Sequence, residues 1–119
     1  MTTLHKKNID QPHETRKFKA NGHVDVVTLG DFTLGRGTFE PGWRWSNDVK
    51  PITGSDSCMT RHTGIIVSGS MVVLSDDGTR ETFGPGDVFL MEPGHDAWIE
   101  GNEPCVIFDT GVKSYATPS

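Results

Sequence analysis

Tight-turn residues divide this chain into short segments, and that spacing constrains its fold more than any other feature. Fourteen glycines and seven prolines stand among 119 residues, and pairs such as Asp77-Gly78, Pro85-Gly86 and Pro93-Gly94 separate stretches rich in β-branched and aromatic residues. Turns about every 8–12 residues between such stretches are typical of an antiparallel sandwich or barrel. Since no segment of useful length has the apolar period of a helix, the sequence predicts an all-β domain of about seven or eight strands.

The regular pattern begins near Val24, and this predicts three parts: a polar N-terminal arm (1–22), a β domain (23–112) and a C-terminal tail (113–119). Within the β domain, MVVLSDDGTRETF predicts a hairpin about Asp77-Gly78, and VFLM and CVIFDTGV predict buried strands. Residues 43–57, WRWSNDVKPITGSDS, predict a loop that is long enough to suggest a function.

Charge and hydropathy exclude several classes of function. The net charge is −5, and the acidic residues are concentrated after residue 20, so the body of the domain lacks the basic surface that nucleic-acid binding needs. No apolar run is long enough for a membrane helix. The first residues show no apolar secretory segment, which favours the cytoplasm. Cys58 and Cys105 form no CxxC pair, so both are expected to be free thiols.

Two segments resemble the sequence motifs of the cupins. GPGDVFLMEPGHDAW is similar to the second cupin motif, and HTGIIVSGSMVV followed by SDDGTRETF is similar to the first, so that the resemblance covers about residues 24–110. The blocks EPGWRWSNDVKP, SDSC, HTG, DDGT, PGHDAW and GNEPC resemble a largely uncharacterised subgroup of small single-domain bacterial cupins. The resemblance implies a double-stranded β-helix, or jelly-roll, barrel. It does not fix a reaction, because cupins include dioxygenases, isomerases, lyases and decarboxylases.

The resemblance also implies where metal ligands would stand. The usual first-motif positions fall on Asp56, Cys58 and His62, and the usual second-motif histidine falls on Ala97, while His95 stands two residues earlier. None of the four usual ligands is therefore unchanged. We expect any metal to be displaced from the usual centre or differently coordinated.

Strand alternation predicts that Asp56, Cys58, His62 and His95 all point into the barrel. These residue types can bind zinc, nickel, iron or manganese, and we treat all four residues as candidate metal ligands. An extended strand would separate Cys58 from His62 by roughly 13 Å, too far for direct contact unless the strand bulges. His62 and His95, from neighbouring strands, are expected to line one cavity with ring nitrogens roughly 3–5 Å apart.

The segment 43–57 supplies further candidate ligand-binding residues. Trp43 and Trp45 either cover one end of the barrel or form the wall of a ligand pocket at its mouth, and Lys50 is either a surface lysine or a contact for an anionic ligand. A mainly structural dimerisation unit is one reading of the domain, and two functions are favoured over it. One is a cupin that binds a small molecule, with or without a divalent metal. The other is a metal-dependent enzyme of oxygenase, isomerase or lyase type that uses His62 and His95. The resemblance further implies a homodimer.

Overall fold

The computed structural model describes residues 3–118, in which strands form nearly all the regular structure. This confirms the all-β prediction, although the described part of the chain has nine strands rather than seven or eight. The elements, in chain order, are β1 (Glu14–Lys17), β2 (Gly22–Leu29), β3 (Phe32–Phe39), α1 (Trp45–Asp48), α2 (Lys50–Thr53), β4 (His62–Ser68), β5 (Met71–Ser75), β6 (Arg80–Phe83), β7 (Val88–Met91), β8 (His95–Trp98) and β9 (Cys105–Asp109).

The strands form two antiparallel sheets. The larger sheet has the order β1-β2-β3-β9-β4-β7, and the smaller one has the order β6-β5-β8. The last strand, β9, pairs with both β3 and β4 and so joins the early strands to the middle of the chain. The predicted hairpin is present as β5 and β6, with Gly78 at a positive φ of 92° in the turn.

The core lies on the alternating inward positions of these strands. Along β9, Cys105, Ile107 and Asp109 are buried and the two residues between them are half-buried. β8 alternates in the same way, with His95 and Ala97 buried. Because the two sheets bury these faces together, any polar residue at an inward position enters an apolar interior.

Residues on both sides of the predicted boundaries pack against the domain. The Phe18 ring, after β1, stacks on Phe39 at 5.5 Å between ring centroids. The Arg16 guanidinium donates hydrogen bonds of 2.7 Å to the carbonyls of Val112 and Tyr115. The division at residues 22 and 112 therefore stays a prediction, with ordered contacts on both sides of each boundary.

The segment predicted as a loop contains two single-turn helices. The Arg44 amide donates to the Asp48 carboxylate at 3.0 Å, which closes the first turn. Pro51 stands in the first turn of α2, and Gly54, at a φ of 81°, ends it. Single turns show no measurable apolar period, so the sequence pattern could not distinguish them from a loop. Among the described residues, no helix is both long enough and apolar enough to cross a membrane.

Candidate functional site

Three buried residues from separate segments meet inside the domain. Cys58, His62 and His95 each place one potential ligand atom within 4.8 Å of the other two. His62 begins β4 and His95 begins β8. The Cys58 amide donates to the His95 carbonyl at 2.8 Å, which ties the segment before β4 to the start of β8. The expectation that His62 and His95 share one cavity agrees with this arrangement, whereas their role as ligands stays a prediction.

Both imidazoles are held by oxygen acceptors through Nδ1. His62 Nδ1 bonds to the Asp109 carboxylate, and His95 Nδ1 bonds to the Glu92 carbonyl at 2.7 Å. Because a carbonyl or carboxylate only accepts, the ring proton of each histidine lies on Nδ1. The Nε2 atom of each ring is then the nitrogen available to the other members of the cluster. His62 Nε2 lies 3.5 Å from Cys58 Sγ.

The direct contact between Cys58 and His62 corrects the expectation from strand spacing. The residues 58–61 are not an extended strand, because β4 begins only at His62 and the preceding residues form a single isolated bridge. The chain therefore departs from extended geometry between the two residues. The separation of roughly 13 Å that an extended strand would give does not occur.

The electrostatics of the pair follow from these contacts. Burial opposes ionisation of Cys58, but hydrogen bonds with His62 and His95 outweigh it and lower the thiol pKa to about 6. Burial likewise opposes the charged form of His62, but the bonds to Asp109 and Cys58 raise the imidazole pKa to about 9. The two shifts have opposite directions, and together they favour a thiolate beside an imidazolium. Cys105 differs, because burial alone raises its pKa to about 11. Both cysteines are free, as predicted.

The cluster opens onto a small internal cavity of about 30 Å³. A water molecule needs roughly 10–15 Å³ measured in this way, so the cavity has room for an ion or for two or three small atoms. Trp43 and Trp45 are both buried in its wall, and neither indole N–H has an acceptor within the described residues. The lining consists of Phe39, Trp43, Trp45, Cys58, His62, Met71, Met91, His95, Ala97, Ile107, Asp109 and Tyr115.

Two surface grooves reach the cavity wall from outside. One, of about 270 Å³, is lined mainly by hydroxyl-bearing residues and includes Cys58 and Tyr115. The other, of about 200 Å³, includes His95 and Met91. Cys58 and His95 therefore each line both the cavity and one of the grooves.

Comparison with known proteins identifies the fold. No family model matches the sequence, and no curated protein matches it. Among solved structures, a cupin-superfamily sugar phosphate isomerase from Silicibacter pomeroyi aligns with a TM-score of 0.62 at 17% identity, over 88% of this chain and 73% of that one. A Cupin 2 conserved barrel domain protein from Salinispora arenicola aligns with a TM-score of 0.62 at 17% identity, over 91% and 87%.

The chain has the cupin fold. A polyketide cyclase from Streptomyces resistomycificus shares this fold, with a TM-score of 0.63 at 15% identity over 90% of this chain and 78% of that one. Proteins of unknown function, such as one from Rhizobium leguminosarum, align over nearly the whole chain as well. At these identities the likeness establishes the cupin architecture predicted from the two motifs, and nothing about the reaction.

On this cupin scaffold, two of the candidate residues lie away from the cluster. Asp56 was expected to point inward, but its side chain is fully exposed and pairs with Lys50 at 3.7 Å. The inward expectation for Asp56 is wrong because strand alternation does not apply to an irregular segment. Lys50 has its amine on the same outer surface. Trp43 and Trp45, in contrast, form the cavity wall.

Two residues that the sequence reasoning missed complete the site. Asp109 is buried and bonds to His62, and its other oxygen accepts from the Gly111 amide at 2.8 Å. Tyr115 stacks edge-on against His62, with 5.0 Å between ring centroids. A signal for Asp109 exists in CVIFD, where alternation from Cys105 through Ile107 predicts an inward carboxylate. No comparable signal marks Tyr115, which lies outside the strands.

Proposed function

We propose that the protein binds one divalent transition metal ion through Cys58, His62 and His95, and a small molecule beside the ion. The orientation of the two imidazoles is the observation that carries this proposal. Each Nδ1 is occupied by an oxygen acceptor, and this leaves each Nε2 as the ring nitrogen for the ion, with the Nε2 proton of His62 released when the ion binds. Histidine ligands of metals are commonly fixed through their other nitrogen in this way.

The donor set and its spacing support the same proposal. One thiolate and two imidazoles suit zinc, iron or nickel better than magnesium or calcium. Bonds of about 2.0–2.3 Å in a tetrahedron place ligand atoms about 3.3–3.8 Å apart. The Cys58 Sγ to His62 Nε2 distance of 3.5 Å already lies in that range. The largest separation in the group, 4.8 Å, needs a side-chain movement of about 1 Å.

Three protein ligands leave a fourth position, the arrangement of catalytic rather than structural zinc sites. A bound ion there would supply Lewis acidity to a ligand atom in the cavity. Asp109 and the Glu92 carbonyl would orient the two imidazoles. Trp43 and Trp45 would exclude bulk water from the cavity. A metal-dependent isomerase, lyase or oxygenase therefore remains the alternative to a binding protein. The sugar phosphate isomerase and the polyketide cyclase with this fold are consistent with it. The homodimer and the cytoplasmic location stay predictions.

Metal analysis of the purified protein tests the proposal. After dialysis against Zn²⁺ or Co²⁺ we expect one ion per chain, and a thiolate-to-cobalt charge-transfer band that Cys58→Ser removes. His62→Ala should lose the ion, while the matched control His13→Ala, at an exposed histidine, should keep it. Circular dichroism checks that each variant is folded. A wild-type protein that holds no ion, or a folded His62→Ala variant that holds one normally, contradicts the proposal.

A further inference from the structure

One wall of the cavity also borders a much larger groove. The cavity measures about 30 Å³, and the groove on the other side of this wall measures about 270 Å³. Trp45, Cys58 and Tyr115 line both spaces, so their side chains form the wall. The cavity alone holds an ion and a few atoms. A pocket for a small molecule measures roughly 300 Å³ or more, and the cavity approaches that size only when it is joined to the groove.

Of the three wall residues, Tyr115 is the one that no regular element or backbone bridge fixes. Trp45 begins α1, and the Cys58 amide donates to the His95 carbonyl at 2.8 Å. Tyr115 lies beyond β9, outside the strands and helices. The other groove shares Met91 and His95 with the cavity, and both belong to strands that are paired in the sheets. A way into the cavity that leaves both sheets intact therefore passes Tyr115.

The residues 113–118, the Tyr115 segment, follow a fixed point in the core. Val112 is 1% exposed and packs on Gly35, where an added Cβ atom would lie 2.7 Å from the Val112 methyl groups. Lys113 and Ser114 are exposed, and Tyr115 is buried again. Two exposed residues between buried ones can change their backbone angles while Val112 keeps its core contacts, which is the arrangement of a hinge.

The Arg16 side chain on β1 holds this segment against the domain. Its guanidinium donates to the carbonyls of Val112 and Tyr115, both at 2.7 Å, and to that of Lys113 at 3.1 Å. The Glu14 carboxylate accepts from the same guanidinium at 3.0 Å and fixes its orientation. A single charged donor thus bonds to three carbonyls of one turn, so the segment can be released by breaking the contacts of one side chain.

We propose that the Tyr115 segment is a gate between the groove and the cavity, closed by the Tyr115 ring and held closed by Arg16. With the gate closed, the cavity admits an ion and a few atoms. When the segment turns outward about Lys113 and Ser114, the cavity and the groove become one pocket that reaches Cys58. Tyr115 therefore sets the size of the ligand. The inference rests on the proposed function in one respect, because the ligand that passes the gate is the small molecule proposed to bind beside the ion.

The test measures access to Cys58 in chelator-treated protein with two neutral reagents of different size, N-methylmaleimide and N-(1-pyrenyl)maleimide. Mass spectrometry locates each label. Because both reagents alkylate the same thiolate, the ratio of their rates cancels the ionised fraction of the thiol and reports the size of the opening. The ratio for the chain unfolded in urea is the reference. Cys105, which is 0% exposed and lines neither space, reports opening of the whole domain.

The first pair of variants tests the ring. In the wild-type protein we expect the pyrenyl-to-methyl ratio at Cys58 to lie far below the unfolded reference. Tyr115→Ala removes part of the wall and should raise the ratio toward that reference, whereas Tyr115→Phe keeps the ring and should keep the wild-type ratio. A folded Tyr115→Ala protein with the wild-type ratio overturns the proposal, and so does a wild-type ratio equal to the reference.

The second pair tests the contact that holds the gate closed. Arg16→Gln removes a charged donor from three carbonyls, so the pyrenyl label should reach Cys58 about tenfold faster, which corresponds to about 1.4 kcal/mol in the opening equilibrium. Arg36→Gln is the matched control, because it removes the same charge and the hydrogen bonds to Asp10 and Asp25 instead. Equal acceleration in both variants, or equal acceleration at Cys105, overturns the role of Arg16.

The gate and the metal fail separately in these measurements. Every labelling rate is taken without a metal ion, so a protein that binds no zinc still shows whether the gate exists. A protein without a gate still shows its zinc stoichiometry in the metal analysis.

Discussion

The thiolate–imidazolium pair of Cys58 and His62 predicts that their joint contribution to stability barely changes across neutral pH in the metal-free protein. In the unfolded chain the two groups titrate near 6.5 and 9.0, so between these values they hold one proton, on the sulfur. The folded pair also holds one proton in this range, on the imidazole. Because the numbers of bound protons are equal, the free energy of unfolding has no slope from this pair.

Replacing Cys58 with serine removes that balance. His62 loses the Cys58 contact but keeps the Asp109 hydrogen bond, which raises the imidazole pKa against the lowering effect of burial. The folded state then holds a proton that the unfolded state has lost, so stability falls as pH rises from 6.5 toward the raised pKa. One proton corresponds to about 1.4 kcal/mol per pH unit. Between about pH 6.5 and pH 8 the variant should therefore lose stability relative to the wild type, by at most about 2 kcal/mol.

Urea unfolding with a chelator, at several pH values, measures this difference. Subtracting the two proteins cancels all other titrating groups, provided their m-values agree. Cys105→Ser is the control, because that thiol is protonated in both states over most of this range and its variant should run parallel to the wild type. Parallel curves for Cys58→Ser and wild type would refute the prediction that Asp109 alone keeps His62 protonated above its unfolded pKa.

Two further predictions concern the turn before β8 and the assembly. Gly94→Ala places a side chain at a φ of 93°, so it should move the adjacent His95 and weaken Zn²⁺ binding in equilibrium dialysis. Gly86→Ala is the control, because Gly86 has a φ of 85° and open space around it. This variant should lose a comparable amount of stability and keep its Zn²⁺ affinity. Light scattering should find a homodimer, and a mass near 13.0 kDa at micromolar concentration would contradict that expectation.

The parts of the structure that depend on local chemistry were predictable from the sequence. The Asp77-Gly78 hairpin, the Pro-Gly turns and the alternation along β8 each involve neighbouring residues, and each is present. His95 and Ala97 are buried, while the Trp98 ring lies on the outer face. The Arg44 guanidinium carbon stands over this ring, 4.5 Å from the ring centroid. The rule of two-residue alternation suffices wherever the chain is truly extended.

The same rule failed where the chain was not extended. Counting back from His62 placed Asp56 inside the domain, but the residues before β4 are irregular, and that carboxylate lies in solvent. The pairing of β9 with β3 and β4, which brings Asp109 to His62, joins positions 47 residues apart. No local pattern reports such a pairing.

The irregular segment before β4 also explains how a set of donors that differs from the usual cupin ligands still forms one cluster. The second-motif histidine stands two residues early, and this moves His95 by about 6–7 Å along β8, to the first residue of the strand. Cys58 bridges to that same residue through its backbone, so the thiol lies at the end of the barrel to which the histidine has shifted. His62 contacts Cys58 from the first residue of β4. One irregular segment thus brings together residues that each depart from the usual motif. Its backbone pairs with His95 and does not continue the register of β4.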